Sequence, residues 1–160
     1  EFRRVLFRSS VYGTLNRVAI VKPLVIQSVN GPDVTVIQAQ NEPGPVIGQF
    51  ALRSVYMTNL STLSGFTVRN GSSPESGDDR TALSGGGIFC ESTNVLITNC
   101  IIVGNVARQA GGGVFSGTLR NCRVEGNRGN SGGGVFRGFA YGCTVVSNWA
   151  GTWEIGRAHV

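Results

Sequence analysis

GGGVFSGTLRNCRVEGNRGNSGGGVFRG, residues 111–138, holds the pentapeptide GGGVF twice, 21 residues apart, and a near copy, GGGIF, starts at Gly85. Glycine loses more freedom on folding than any other residue, so its return at a fixed interval needs a structural cause. Two further markers keep the same interval. Cysteines stand at 100, 122 and 143, and the asparagines of GN or SN pairs at 105, 127 and 148. The unit is therefore 21–22 residues long. The GGG spacing from 85 to 111 is longer because CESTN, residues 90–94, adds to that unit.

Inside each unit the apolar positions alternate: Cys100 with Ile102, Cys122 with Val124, Cys143 with Val145. A period of two indicates strand, with these side chains on one face. Gly, Asn and Ser clusters mark the corners between short strands, and no segment sustains a capped helical period. A unit this short cannot bury its own apolar face, but stacked units can. One unit per coil places equivalent residues about 4.8 Å apart. The expectation is an all-β, single-stranded parallel β-helix.

Several ladders follow from that fold. Cys100, Cys122 and Cys143 form one interior ladder. Phe89, Phe115 and Phe136 form a second, beside Ile88, Val114 and Val135, with the inward one of this adjacent pair left open. Asn105, Asn127 and Asn148 form a turn ladder whose amides bond between coils and whose backbone tolerates the left-handed region.

The N-terminal half reads as less regular coils of the same kind. PLVIQSV (23–29) and DVTVIQA (33–39) are strand-like runs flanking the turn signal NGP. SVYMTNLSTLSGFTV places Phe66 and Val68 where later coils carry Cys and an aliphatic residue. Val68 to Ile102 spans 34 residues, and the surplus is the polar stretch GSSPESGDDRTALS, residues 71–84, expected to project as a loop.

Both ends read differently. EFRRVLFRS at the start and EIGRAHV at the close translate one short-read sequencing adapter in its two orientations. Residues 1–9 and 154–160 are therefore set apart as adapter-like, and residues 10–153 as an internal slice of a longer protein. The slice carries ten Lys and Arg against seven Asp and Glu, a formal charge of +3 rather than the +5 of the whole chain. The only histidine, His159, falls in the adapter-like end. The lower charge weakens any nucleic-acid reading. No run of 18 apolar residues suggests a membrane span.

The chain resembles the bacterial right-handed parallel β-helix repeat proteins of the pectate-lyase-like fold. The likeness rests on VAIVKPLVIQSVNGPDVTVIQA, LSGFTVRNG and the GGG…NC…GN units, and covers residues 11–149. Within that group it is similar to glycine-rich secreted surface proteins and to polymorphic outer-membrane protein repeats. The resemblance implies an extracellular or cell-surface location, adjoining coils in the full-length chain, and polysaccharide or another surface protein as partner. Activity does not follow, because this fold hosts both enzymes and inert stalks.

Chemistry-bearing groups are sparse. The four cysteines form no C-x₂-C pair, so they read as small buried hydrophobes. A disulfide stays open, since the implied location is oxidising. The glycine triplets lack the Lys-Ser/Thr of a phosphate-binding loop. Glu75, Asp78, Asp79 and Arg80 are the densest charge and form the candidate binding loop, read as solvated, with Ca²⁺ as the alternative. No other cofactor or metal is expected. Arg123 corresponds to Ile101 and Thr144, so Arg108, Arg120, Arg123, Arg128 and Arg137 build no basic stripe for nucleic acid.

Two functions fit. One is a non-catalytic stalk or adhesion module with weak glycan contact. The other is a fragment of a polysaccharide lyase or glycoside hydrolase, in which Asp78 or Asp79 would converge with an acid or Arg on a neighbouring coil.

Overall fold

The computed structural model describes residues 9–39 and 51–151. Residues 1–8 and 154–160 of the adapter-like ends, with His159, lie outside the described residues. The described residues hold nineteen strands and no helix.

The strands fall into units of one plan. A short strand, β1 (Ser9–Val11), precedes unit 1, which is β2 (Thr14–Ile20), β3 (Val25–Gln27) and β4 (Val36–Gln38). Unit 2 is β5 (Leu52–Met57), β6 (Thr62–Ser64) and β7 (Thr67–Arg69). Unit 3 is β8 (Ile88–Cys90), β9 (Leu96–Thr98), β10 (Ile101–Val103) and β11 (Val106–Ala110). Unit 4 is β12 (Val114–Phe115), β13 (Thr118–Arg120), β14 (Arg123–Glu125) and β15 (Arg128–Ser131). Unit 5 is β16 (Val135–Phe136), β17 (Phe139–Tyr141), β18 (Thr144–Val146) and β19 (Trp149–Ala150).

Corresponding strands of successive units pair parallel, giving four sheets. The architecture is all-β and compatible with a β-solenoid. The exception to parallel pairing is β1, which runs antiparallel along β2. Register is kept through the stack: Leu63, Ile97, Leu119 and Ala140 align in one sheet, and Val68, Ile102, Val124 and Val145 in another. Leu63, Ile97, Leu119, Val68, Ile102 and Val124 are fully buried. At roughly 1.5–3 kcal/mol per fully buried aliphatic side chain, these ladders dominate stability.

Adjacent ladders in the first sheet face opposite ways. Val55, Ile88, Val114 and Val135 pack into the main core. Tyr56, Phe89, Phe115 and Phe136 belong to a second cluster on the other face. There the rings stack, with centroids 6.0, 5.0 and 5.8 Å apart. Cys100 and Cys122 are buried in the main core, Cys143 packs against it, and Phe66 does so one unit earlier.

The triplet glycines are each required by geometry. Gly111 has φ +63°, a region L side chains rarely adopt. A Cβ on Gly112 would lie 2.1 Å from the Arg128 carbonyl oxygen, and one on Gly113 2.6 Å from the Gly134 carbonyl oxygen and 3.1 Å from the Asn127 amide. The triplet is thus a left-handed corner followed by two backbone-on-backbone approaches, the second also facing the asparagine ladder.

Asn105 and Asn127 are buried, Asn148 is half-buried, and the three amides bond along the stack. The Asn105 amide donates to Asn127 Oδ1 at 3.0 Å, and the Asn127 amide to Asn148 Oδ1 at 2.9 Å. Backbone N–H groups of Asn105 and Asn127 donate to the same oxygens, both at 3.0 Å. One expectation needs correcting: the ladder asparagines do not adopt the left-handed conformation. It falls on the residue before each, Gly104, Gly126 and Ser147. The ladder residue must instead turn its amide along the stack, and the preceding corner absorbs the turn.

Candidate functional site

After β7 the plan is interrupted. Ser72 bridges Val106, so Ser72 and Ser73 begin where β11 stands in the next unit. Ser73 N–H donates to Val106 O at 3.1 Å, and its Oγ accepts from Arg108 N–H at 2.7 Å. The chain then leaves the stack. Residues 75–80 are exposed, but Ala82, Leu83 and Ser84 are buried. The excursion therefore does not simply project, as its composition suggests. It folds back onto the outer face of the first sheet.

Asp78 shapes the turn. Its Oδ1 accepts from Thr81 N–H and Thr81 Oγ1, both at 2.8 Å, and from Arg80 N–H at 3.1 Å. The two bonds from Thr81, helped by Arg80, hold its carboxyl below the usual range against the opposing effect of desolvation. Its carbonyl accepts from Ala82 and Leu83 N–H at 2.9 and 3.1 Å. The returning segment is stitched on by Gln109 N–H to Leu83 O and Gly85 N–H to Ala110 O, at 2.9 and 2.8 Å.

Arg53, at the start of β5, pins this return. Its side chain is 0% exposed. Nε donates to Gly85 O at 2.9 Å, one terminal nitrogen to Thr81, Ala82 and Ser84 carbonyls at 2.6, 3.3 and 2.9 Å, and the other to Asn16 Oδ1 at 3.2 Å. The guanidinium also lies 4.7 Å from the Phe89 ring centroid. Burial lowers its pKa to about 9, with Tyr56 and Cys90 opposing, so it stays charged at neutral pH. Four backbone carbonyls and an amide oxygen stand in for a carboxylate partner.

The folded-back loop walls a pocket of about 290 Å³. Phe115 and Phe136 form its apolar side, Asp79, Arg80 and Ser84 come from the loop, Gln109 and Ser131 from β11 and β15, and Arg137 from the turn after β16. Of the four candidate loop residues, Asp79 and Arg80 line the pocket, and Glu75 and Asp78 do not. Arg137 has φ +55° and its guanidinium sits 5.6 Å from the Phe136 ring centroid.

A second polar cluster lies at the other end of the aromatic stripe. Glu91 Oε1 accepts from the Tyr56 and Tyr12 hydroxyls, and Oε2 from Thr58 Oγ1 at 2.7 Å and Asn59 N–H at 3.4 Å. Burial pushes its pKa up, but bonds from Tyr56, Thr58, Tyr12 and Asn59 together bring it below the usual carboxylate value. The Tyr56 hydroxyl is pushed up by burial and by the bond to Glu91. Glu125 pairs with Arg123. The carboxylates of Asp78, Glu91 and Glu125 are thus each engaged outside the pocket.

All four cysteines are free thiols. Cys90 is raised by burial, and Cys122 by its bond to Cys100 and then by burial, so both stay protonated. Among the described residues no three His, Cys, Asp or Glu side chains converge to hold a metal.

Arg53 and Glu91 carried no sequence signal of their roles. Arg53 sits in an irregular coil and bonds mostly backbone, and Glu91, in the segment that lengthens its unit, has no acid at the matching position of its neighbours to mark it. The chain matches no family model, no curated protein and no solved structure.

Proposed function

We propose that this chain is a non-catalytic module of a secreted or cell-surface protein, built as a right-handed parallel β-helix and acting in adhesion or as a stalk. Weak contact with polysaccharide, or with another surface protein, takes place on its outward polar face. The observation that carries this reading is where the ionisable groups are used. Asp78 caps a turn, Glu91 ties Tyr12, Tyr56 and Thr58 together, and Arg53 is sunk beneath the loop. Reactive groups are spent on holding shape, which suits a presenting surface better than a catalytic one. Immobilised polysaccharides should retain the full chain reversibly, with no new reducing ends or unsaturated products on prolonged incubation. Product release would overturn the reading.

A second reading has one observation in its favour. Asp79 and Arg80 share the pocket with Arg137 of unit 5, the kind of convergence a polysaccharide lyase or hydrolase fragment requires. Under that reading, acidic polysaccharide is cleaved and Asp79→Asn abolishes the cleavage.

A further inference from the structure

The pocket beneath the loop has a chemistry of its own, distinct from the open polar face. Its wall residues Phe115 and Phe136 belong to a ring stack with centroids 5.8 Å apart. Ring faces are occupied by neighbouring rings, or at Phe136 by the Arg137 guanidinium on one side. What the stack offers the pocket is therefore its rims. Aromatic rims carry partial positive charge, whereas sugars stack on faces.

The fixed charges agree in sign. Arg80 and Arg137 stand against the single acid Asp79, leaving the pocket with a net positive charge. Both guanidiniums are on exposed residues, and among the described residues neither is in an ion pair. Arg80 also holds Asp78 through its backbone N–H, at 3.1 Å. Arg137 holds a left-handed backbone, a conformation unfavourable for a residue with a Cβ. Gln109, Ser84 and Ser131 add neutral donors beside the apolar wall. At about 290 Å³ the space is at the small end of ligand pockets.

We infer that this pocket binds a small organic carboxylate with an apolar body. The body lies against Phe115, Phe136 and Ala110, and the carboxylate takes charge-assisted bonds from Arg80 and Arg137. The loop forms one wall, so the site exists only while Arg53 holds the return segment. This inference does not rest on the adhesion reading, which concerns the outward face.

Calorimetric titration of the full chain with phenylacetate, phenylacetamide and glucuronate tests it. Saturable phenylacetate binding is expected, weakened at least about tenfold for neutral phenylacetamide and in the Arg80→Gln/Arg137→Gln variant. Both arginines are exposed, so an unchanged far-ultraviolet spectrum should confirm that the variant folds. Equal binding of the amide, undiminished binding by the variant, or no saturation by phenylacetate would each overturn the inference. Glucuronate equalling phenylacetate would also overturn it, while leaving glycan contact standing. Retention on polysaccharide without phenylacetate binding would sink the pocket assignment alone, and the converse would sink the adhesion reading alone.

Discussion

Unit 4 and unit 2 stack in the same sheets, yet they hold the corner after the third strand by different chemistry. In unit 4 the corner is Asn127, with its amide bonded to the units on either side, followed by β15 and a glycine triplet. In unit 2 the equivalent residue is Gly71, whose N–H donates to Asn105 Oδ1 at 2.9 Å and so ends the ladder. A loop follows, and one buried arginine ties it down. Repetition lets every unit satisfy its neighbour's polar groups with the same side chain. Where repetition stops, orphaned carbonyls need a long donor-rich side chain brought from elsewhere. The pocket forms at that irregular corner, where the loop folds over the outer face of the first sheet.

The regular corner should be the more brittle of the two. Gly112→Ala sets a Cβ 2.1 Å from a carbonyl oxygen belonging to the next unit. Neither backbone can yield without breaking the stack, so a loss of about 3 kcal/mol or more is expected. Gly126→Ala is the control. It meets nothing within 4 Å, and Ser147 shows that the same corner accepts a side chain at φ +54°. That substitution should cost only about 1 kcal/mol. Urea midpoints of the two variants measure the contrast, and equal midpoints would refute the close-approach account.

The irregular corner should fail locally. Arg53→Met keeps the apolar bulk but leaves the Thr81, Ala82, Ser84 and Gly85 carbonyls without their donor. Leaving buried acceptors unpaired costs about 1–3 kcal/mol. Opening should concentrate in residues 74–84, read as faster proteolysis there and faster hydrogen exchange at Gln109 and Gly85, whose amides bond across this seam. Phenylacetate binding should disappear with the loop. Unchanged exchange at both amides would show that the loop holds without Arg53.

What could be read from sequence follows the same division. The period of 21–22 residues and the stacked Cys and Asn positions were legible because they recur in units 3, 4 and 5, and the place of the interruption because the spacing lengthens there. The inward ladder of the Ile-Phe and Val-Phe pairs was not. Both members are apolar and both are buried at Ile88–Phe89 and Val114–Phe115, one by the core and one by the aromatic cluster and its cover. Alternation identifies a strand face only when the other face meets water. The pocket was half legible. Asp79 and Arg80 were in the candidate loop, but Phe136, Arg137 and Gln109 reach it only through the fold-back. Backbone carbonyls carry no residue signature, so the partners of Arg53 could not be read at all.

The far end of the aromatic stripe gives the smallest effect and a different readout. Glu91 gathers Tyr12, from the turn between β1 and β2, with Tyr56 and Thr58 of unit 2. Its folded pKa lies below the usual glutamate value of about 4.3. Its stabilising contribution is therefore present above that value and is lost as pH falls through the folded pKa. Asp78 is lowered in the same direction, so acid destabilisation alone does not isolate Glu91. The difference between wild type and Glu91→Gln does, because Asp78 is common to both and sits in a separate turn. The glutamine keeps one acceptor oxygen, so near neutral pH the variant should be only slightly less stable. Between about pH 5 and pH 3 the wild type should lose more of its urea midpoint than the variant, and the two curves should converge at the acid end. Parallel curves across that window would mean that the four hydrogen bonds to Glu91 do not depend on its charge.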